Sequence, residues 1–308
     1  MSSSPFRSRS LWLALSALLV AWGEPSVAWA QACCAGGSAV TPARLELPED
    51  ALVGAQLRAG WIHGQYDPAG RYIASPAGDT ELDFEQDLFG AVRLLKKGQA
   101  ALLVPLIETS RATTSSGSGF GGGVGDINAS VRYDFVVAGE SEVVPGIALL
   151  AGLTLPTGTA PESATPPLFV GATGIGAWQV NFALALEQTF GRWLVNATGI
   201  VAARTPRFGE TLAPQVTLIG AGAYSFDNGA ALALSASYVF EGEATADGGA
   251  SVPASSKRLT VLTLSGLWPL GDWWRLLGGV FVDPPFGTVG SNQPASTGLT
   301  FTVIRSWS

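Results

Sequence analysis

The chain has 308 residues, of which 47% are hydrophobic and only 13% are charged, against about 25% charged in ordinary soluble domains. This richness in apolar residues excludes intrinsic disorder, and a net charge of -7 without a basic patch excludes nucleic acid as a partner. With a single histidine, His63, the chain cannot build a metal site from several histidines.

The first 30 residues have the pattern of a secretory signal peptide. Arg7 and Arg9 precede an apolar stretch over residues 11–22, and Ala28 and Ala30 supply the small residues expected before a cleavage site. The apolar stretch is too short to be a spanning helix. We therefore predict a cleaved signal peptide over residues 1–30, a periplasmic N-terminal extension over residues 31–50 and a barrel over residues 51–308.

Both cysteines, Cys33 and Cys34, lie just beyond the predicted cleavage site. Adjacent Cα atoms are only ~3.8 Å apart, below the ~4.4 Å that disulfides usually need. A bond between the two would therefore be strained, although an exported protein meets an oxidising compartment. Lipid attachment at Cys33 is a further alternative, and an ordinary extension ahead of the first strand is the interpretation that we favour.

From residue 51 onward, apolar and polar residues alternate with a period of two, which indicates β-strands. The clearest segment is 126–135, in which Val131 and Phe135 lie on an apolar face while Asn128 and Arg132 lie on a polar one. After the signal peptide, no run approaches the ~18 apolar residues of a spanning helix.

Twelve segments have this character, and each reaches the ~9–11 residues with which a tilted strand crosses a bilayer. The alternation is weakest in the tenth and eleventh, and Pro105 removes a hydrogen-bond donor from the third, where we expect a bulge. The segments are 51–65, 82–95, 99–110, 125–136, 146–156, 174–189, 193–204, 212–226, 230–241, 257–269, 274–283 and 297–307.

The connections between these segments alternate broadly between long and short. Long connections are predicted at 67–81, 111–124, 157–173, 242–256 and 284–296, and short ones at 96–98, 190–192, 227–229 and 271–272. This segregation is typical of outer-membrane barrels, which have extended outer loops and brief periplasmic turns. An even number of strands then places both chain termini in the periplasm.

Aromatic residues fall near the ends of the predicted strands, as the two interfacial girdles of a membrane barrel require. The outer girdle is predicted to contain Trp61, Trp178, Tyr238 and Phe281. The periplasmic girdle is predicted to contain Tyr133, Phe135, Trp193, Tyr224, Phe226, Trp268 and Trp307.

One stretch carries a family resemblance. Residues 125–133 read Gly-Asp-Ile-Asn-Ala-Ser-Val-Arg-Tyr, Pro145-Gly146 follows, and residues 153–158 read Leu-Thr-Leu-Pro-Thr-Gly. This region resembles the outer-membrane barrel family that is named for the meta pathway of phenol degradation. The resemblance implies a barrel over about residues 50–308 and the passage of small, aromatic or apolar compounds. Cys33 and Cys34 lie outside the resemblance.

The sequence thus predicts an all-β protein, an antiparallel transmembrane β-barrel of about 12 strands, acting as a porin-like channel in a Gram-negative outer membrane. A polar face on every strand cannot face lipid, so it must line a lumen, and twelve strands should leave only a narrow passage. We expect membrane lipid, lipopolysaccharide, small solutes and the barrel-assembly machinery as partners, and no cofactor or metal. The candidate lumen-lining residues are Gln56, Arg58, Arg93, Glu108, Asn128, Arg132, Gln179, Asn181, Glu187, Asn196 and Gln215.

Signals for catalysis are poor, so we predict that the protein is not an enzyme. His63 lacks a nearby serine, and the glycine pattern at 117–122 lacks the strand and helix of a dinucleotide site. Two alternatives remain open: an outer-membrane barrel that serves as a scaffold or adhesin without transport, and a secreted soluble β-sandwich.

Overall fold

The computed structural model describes residues 43–141, 143–166 and 168–308. The predicted signal peptide, Cys33, Cys34 and the first part of the predicted extension lie outside these residues. Within the described ranges, no helix is long and apolar enough to cross a membrane.

The described chain forms a closed antiparallel barrel of 12 strands. Each strand pairs with the next along the sequence, and the last strand pairs with the first from Ala51↔Trp307 to Tyr66↔Gln293. One continuous closed sheet rules out the alternative of a soluble sandwich, which consists of two packed sheets. The strands are β1 Ala51–Tyr66, β2 Thr80–Leu95, β3 Gly98–Thr113, β4 Ile127–Val136, β5 Gly146–Leu155, β6 Gln179–Phe190, β7 Trp193–Arg204, β8 Gln215–Ser225, β9 Ala231–Glu241, β10 Lys257–Leu270, β11 Trp274–Val282 and β12 Gln293–Trp307.

All twelve predicted segments correspond to strands, including the two in which the alternation is weak. The prediction of a loop over residues 111–124 is wrong. Residues Gly117–Val124 form an additional strand, which we call the glycine strand. It pairs with the end of β3, and only a tight turn over residues 114–116 separates the two. The prediction failed because this strand is mostly glycine and has no apolar and polar alternation to detect.

Connection length separates the two ends of the barrel. Both barrel termini and the short connections lie at one end, which we call the turn end, and the long connections lie at the other, the loop end. Three more short strands lie in the loop-end connections, at Tyr72–Ala74, Glu210–Thr211 and Thr245–Ala246. The predicted alternation of loop lengths is therefore present in the fold.

The two faces of the barrel wall differ in polarity. On the outer face Leu57, Phe182 and Leu234 are exposed, while charged and hydrogen-bonding side chains are buried on the inner face. An apolar outer surface suits a lipid surrounding, because charged groups near the bilayer midplane cost about 2–4 kcal/mol.

Aromatic side chains surround the turn end on this outer face. Trp193 contacts Tyr224 at 5.1 Å between ring centroids, and Tyr133 contacts Phe135 at 4.9 Å. The prediction that Phe281 belongs to the outer girdle is wrong. Phe281 is 2% exposed and lies on the inner face, since it has the same strand parity as the inward Leu277.

Candidate functional site

The lumen is the candidate functional site, and the strand register decides which predicted residues face it. Directly paired residues on neighbouring strands share one face of a sheet. Ten of the eleven predicted residues lie on the inner face: Gln56, Arg58, Arg93, Asn128, Arg132, Gln179, Asn181, Glu187, Asn196 and Gln215.

The placement of Glu108 on the lumen side is wrong. Glu108 pairs with Phe84, which is exposed on the outer face, whereas its neighbour Thr109 is buried and donates to Asp83 at 3.0 Å. Because successive side chains point to opposite faces, the inward position of Thr109 places Glu108 outside.

Toward the turn end, several predicted residues meet in one buried network. The Nη2 atom of Arg132 lies 2.7 Å from Asp134 Oδ1 and 3.4 Å from Glu187 Oε1. Asn196 donates to the same Glu187 oxygen at 3.2 Å. Glu187 is 2% exposed and also pairs with Arg44, which precedes the barrel.

Arg44 belongs to a segment, residues 43–49, that lies inside the barrel at the turn end; we call it the luminal segment. Gln99 donates to the carbonyl oxygen of Ala43 at 2.9 Å and accepts from the Leu45 amide at 3.0 Å. Ala43 and Leu45 pack in one apolar cluster with Leu52 and Phe89 of the barrel wall. This packing inside the barrel was not predicted, because a segment without strand periodicity gives no signal of where it packs.

Two further arginines hold the luminal segment by its other end. Arg275 pairs with Glu46 at 2.5 Å and with Glu49 at 2.8 Å. Arg93 donates to the carbonyl oxygen of Glu49 at 2.7 Å and to that of Glu46 at 2.5 Å. Burial raises the pKa of Glu46 above its ordinary value, against the lowering effect of Arg275.

The charges around the luminal segment balance. Four guanidinium groups meet four carboxylates, and buried charges of this kind are retained only when they are paired. The members are Arg44, Arg93, Arg132, Arg275, Glu46, Glu49, Asp134 and Glu187.

Closer to the loop end, β2 presents a row of carboxylates to the lumen that sequence reasoning missed. We call Glu81, Asp83, Glu85 and Asp87 the acidic row. Their alternation with the outward Leu82, Phe84 and Leu88 is visible in the sequence and could have revealed it.

The members of the acidic row differ in their partners. Arg111 pairs with Glu81, and Arg58 lies 3.7 Å from Glu85. Asp83 accepts from the neutral hydroxyl of Thr109. Asp87 is 1% exposed, and its Oδ1 atom has no hydrogen-bond partner.

A further carboxylate, Asp283, lies just after β11 on the side of Arg58. Its Oδ2 atom accepts from the amide and hydroxyl of Ser296 at 2.7 and 2.8 Å, while its buried Oδ1 atom has no partner. Burial raises the pKa of Asp283 above its ordinary value. The guanidinium carbon of Arg58 lies 4.1 Å from the ring centre of Phe281, so the ring fixes Arg58 in this neighbourhood.

The opposite wall of the lumen carries a second polar group. Arg204 pairs with Glu241 at 2.6 Å and donates to Gln179 at 2.6 Å. Gln179 in turn donates to Asn181 at 2.8 Å, and Gln215 donates to Glu241 at 3.3 Å.

The long connection after β5, residues 156–178, folds toward the lumen at the loop end. Leu168 and Val170 lie against the inner face of the glycine strand, where a Cβ atom on Gly121 would come within 2.9 Å of Val170. Arg111 donates to the carbonyl oxygen of Leu168 at 2.6 Å. The glycine strand therefore makes room for a connection that narrows the loop-end entrance.

The motif that carries the family resemblance anchors this connection. Asp126 accepts from the Gly158 amide at 2.9 Å and from the Ile175 amide at 2.6 Å. The Thr157 hydroxyl donates to the Gly125 carbonyl at 2.6 Å and accepts from Ile127 at 3.0 Å. These motif positions thus fix the geometry of the connection.

His63 lies at the register shift of β1, where its Nδ1 atom is 2.8 Å from the Tyr72 hydroxyl. In the described part of the chain, no group of three or more His, Cys, Asp or Glu side chains is arranged to hold a metal ion.

Comparison with known proteins adds structural neighbours. No protein-family model matches the chain, and no curated protein does. Among solved structures, the COG4313 outer membrane channel from Pseudomonas putida F1 has a TM-score of 0.67 at 17% identity, covering 85% of this chain and 97% of that one. The translocator domain of the autotransporter NalP from Neisseria meningitidis has a TM-score of 0.48 at 10% identity, covering 84% and 88%. The first of these shares the barrel fold.

Proposed function

We propose that the protein is an outer-membrane channel for small solutes, closed at the turn end by the luminal segment. The observation that carries the proposal is a closed barrel with an apolar outside and ion-paired polar groups inside. A lumen of this kind supports passage of water-soluble solutes once the segment at its end is displaced. The similar fold of a Pseudomonas putida protein that is described as an outer membrane channel supports the same assignment.

We further propose that the turn end faces the periplasm and the loop end faces the cell exterior, as barrels with short periplasmic turns do. The ten inward residues of the predicted set would then line the passage. Several of them already bond to one another, so we assign Arg132, Glu187 and Asn196 to holding the luminal segment. Gln56 and Arg58, nearer the acidic row, are the candidates for contact with a solute.

The test is single-channel recording of the mature chain in planar bilayers, comparing Arg275→Glu with Arg305→Glu. Arg275→Glu places a third negative charge beside Glu46 and Glu49 and should release the luminal segment, which raises conductance. Arg305 lies on the outer face of the same end, within 5.1 Å of the Trp307 ring, so the same change there should leave conductance unaltered. Adding Glu46→Arg and Glu49→Arg to Arg275→Glu should restore the pairing and the closed state.

A folded Arg275→Glu protein that conducts no more than the wild type would contradict the closing role of the luminal segment. An absence of conductance in every variant would contradict the channel itself and favour a barrel without transport. Liposome swelling with small aromatic compounds, compared with sugars, then tests the solute class that the family resemblance implies.

A further inference from the structure

Lumen charges at the loop end do not balance, in contrast to those around the luminal segment. The acidic row brings four carboxylates to one wall, where two guanidinium groups, those of Arg58 and Arg111, pair with Glu85 and Glu81. Among the described residues, Asp83 and Asp87 form no ion pair, and Asp283 adds a third carboxyl group of this kind.

The facing wall does not supply the missing positive charge to this row. Arg204 forms an ion pair with Glu241 at 2.6 Å. Lys257 lies directly opposite the same Glu241 on the neighbouring strand. Among the described residues, one more basic than acidic side chain therefore lies across the lumen, and three carboxyl groups without an ion pair lie along β2 and after the end of β11.

The buried carboxylate oxygens are the second observation. Oδ1 of Asp87 and Oδ1 of Asp283 are both buried without a hydrogen-bond partner, on separate elements to either side of Arg58. An unpartnered buried oxygen loses its solvation without compensation, and a positive group beside such a carboxyl group would stabilise its ionised form.

From these observations we propose that the β2 wall of the lumen is a binding track for small cations, which take up positions beside Asp83, Glu85, Asp87 and Asp283. The proposal rests on the proposed channel function and names its preferred solutes: alkali ions and compounds with an ammonium group. Since no three carboxylates of the described residues are arranged to hold a metal ion, the cations are held by charge and stay mobile.

The distance between neighbouring carboxylates of the acidic row determines which longer cations can contact several of them at once. Alternate residues on a strand are about 6.6–6.8 Å apart, so the acidic row repeats a negative charge at that interval along the lumen. A linear polyamine such as spermidine carries ammonium groups at a similar interval. Spermidine is therefore a suitable probe of the whole row, whereas potassium tests only the charge.

The selectivity experiment measures the reversal potential of the mature protein across a potassium chloride gradient. Low-dielectric walls of one charge sign raise the local concentration of counter-ions by about tenfold or more, so the wild type should prefer potassium to chloride by about that ratio. The double variant Asp83→Asn with Asp87→Asn should bring the ratio close to one. Glu108→Gln is the matched control, because it makes the same chemical change on the neighbouring strand outside the lumen.

A second measurement does not require conduction. Spermidine should raise the thermal unfolding midpoint of the detergent-solubilised wild type and of Glu108→Gln, but not that of the double variant, because a ligand stabilises the state that binds it. A conducting protein with no cation preference and no spermidine effect would overturn the track and leave the channel in place. Spermidine stabilisation without conduction would overturn the channel function and leave the cation track in place. If the protein neither conducts nor is stabilised by spermidine, the channel function and the cation track are both overturned.

Discussion

The carbonyl oxygen of Pro105 accepts a hydrogen bond from the amide of Gly125 at 2.8 Å, at the point where the partner of β3 changes. On the turn-end side of this point, β3 pairs with β4 up to Leu103↔Asn128. On the loop-end side, its pairing with the glycine strand begins at Leu106↔Val124. The missing N–H of Pro105 thus coincides with a gap in the ladder. A proline that looks disruptive in the sequence occupies the one part of β3 that can accept it.

Pro105→Ala should therefore change the free energy of unfolding by no more than about 1 kcal/mol. Ala101→Pro, four residues earlier in the same strand, should destabilise clearly more, because Ala101 is paired on both sides and proline removes a ladder hydrogen bond there. Urea unfolding in detergent, followed by the heat-dependent gel shift of barrels, measures both. Equal effects of the two changes would contradict the ladder gap.

The two faces of β4 should respond differently to charge. Val131 is half exposed on the outer face, and Val131→Arg should destabilise the inserted barrel by about 2–4 kcal/mol if it lies near the bilayer midplane. The comparison is Arg305→Lys, which keeps an existing outer-face charge at the turn end and should cost much less. Unfolding from lipid vesicles is the measurement, and tolerance of Val131→Arg would invert the assigned faces.

Removal of the buried carboxylate at the turn end should be costly. Glu187→Ala leaves Arg132 and Arg44 without this partner, and breaking a buried pair in this way costs about 3–5 kcal/mol. Glu140→Ala is the comparison, because its pair with Lys97 is exposed and should contribute little. Thermal unfolding ranks the two, and an equal loss would show that the Glu187 network is not a buried one.

Docking of the luminal segment should weaken as the pH rises. Because burial raises the pKa of Glu46, the docked segment binds more protons than a released one between the ordinary value of 4.5 and the raised value. Through Glu46, linkage adds to docking stability below the ordinary pKa, and this contribution is lost as the pH rises through the raised pKa. Protease cleavage of the segment in proteoliposomes at several pH values measures this. Glu46→Gln should flatten the dependence, and an unchanged slope in that variant would assign it to another group.

Orientation can be tested with epitopes in two exposed connections. An epitope inserted at Gly248 should be labelled on intact cells, whereas one at Asn228, in the short turn between β8 and β9, should be labelled only after the outer membrane is permeabilised. Immunoblots confirm that both proteins are made. Labelling at Asn228 with none at Gly248 would place the turn end outside the cell.

Strand number and inner or outer parity were predictable because each strand repeats its pattern many times. Val131 and Arg132 show this, since a single alternation places one outward and the other inward. Glu108 was assigned to the lumen because it is charged, and Phe281 to the outer face because it is aromatic. The strand register, and not the residue type, decides the face in both cases.

Other parts of the site left no periodic trace in the sequence. The luminal segment has no strand periodicity over its described residues, and its contacts, such as Arg275 with Glu46, join residues more than two hundred positions apart. The glycine strand has no side chains from which a pattern could be read. The acidic row was readable, since carboxylates recur at every second residue from Glu81 to Asp87.

The seam of the barrel limits how far the luminal segment can travel. The amide of Asp50 donates to the carbonyl oxygen of Trp307 at 2.7 Å, and the carbonyl oxygen of Asp50 accepts from the Arg93 amide at 2.7 Å. Asp50 is thus fastened to both neighbouring strands, immediately after the segment ends. If the luminal segment leaves the lumen, it must turn about Asp50, because movement of the residues after Asp50 would break the hydrogen bonds between β1 and β12. In the proposed channel, the luminal segment would therefore move on a short tether that stays attached to the barrel wall.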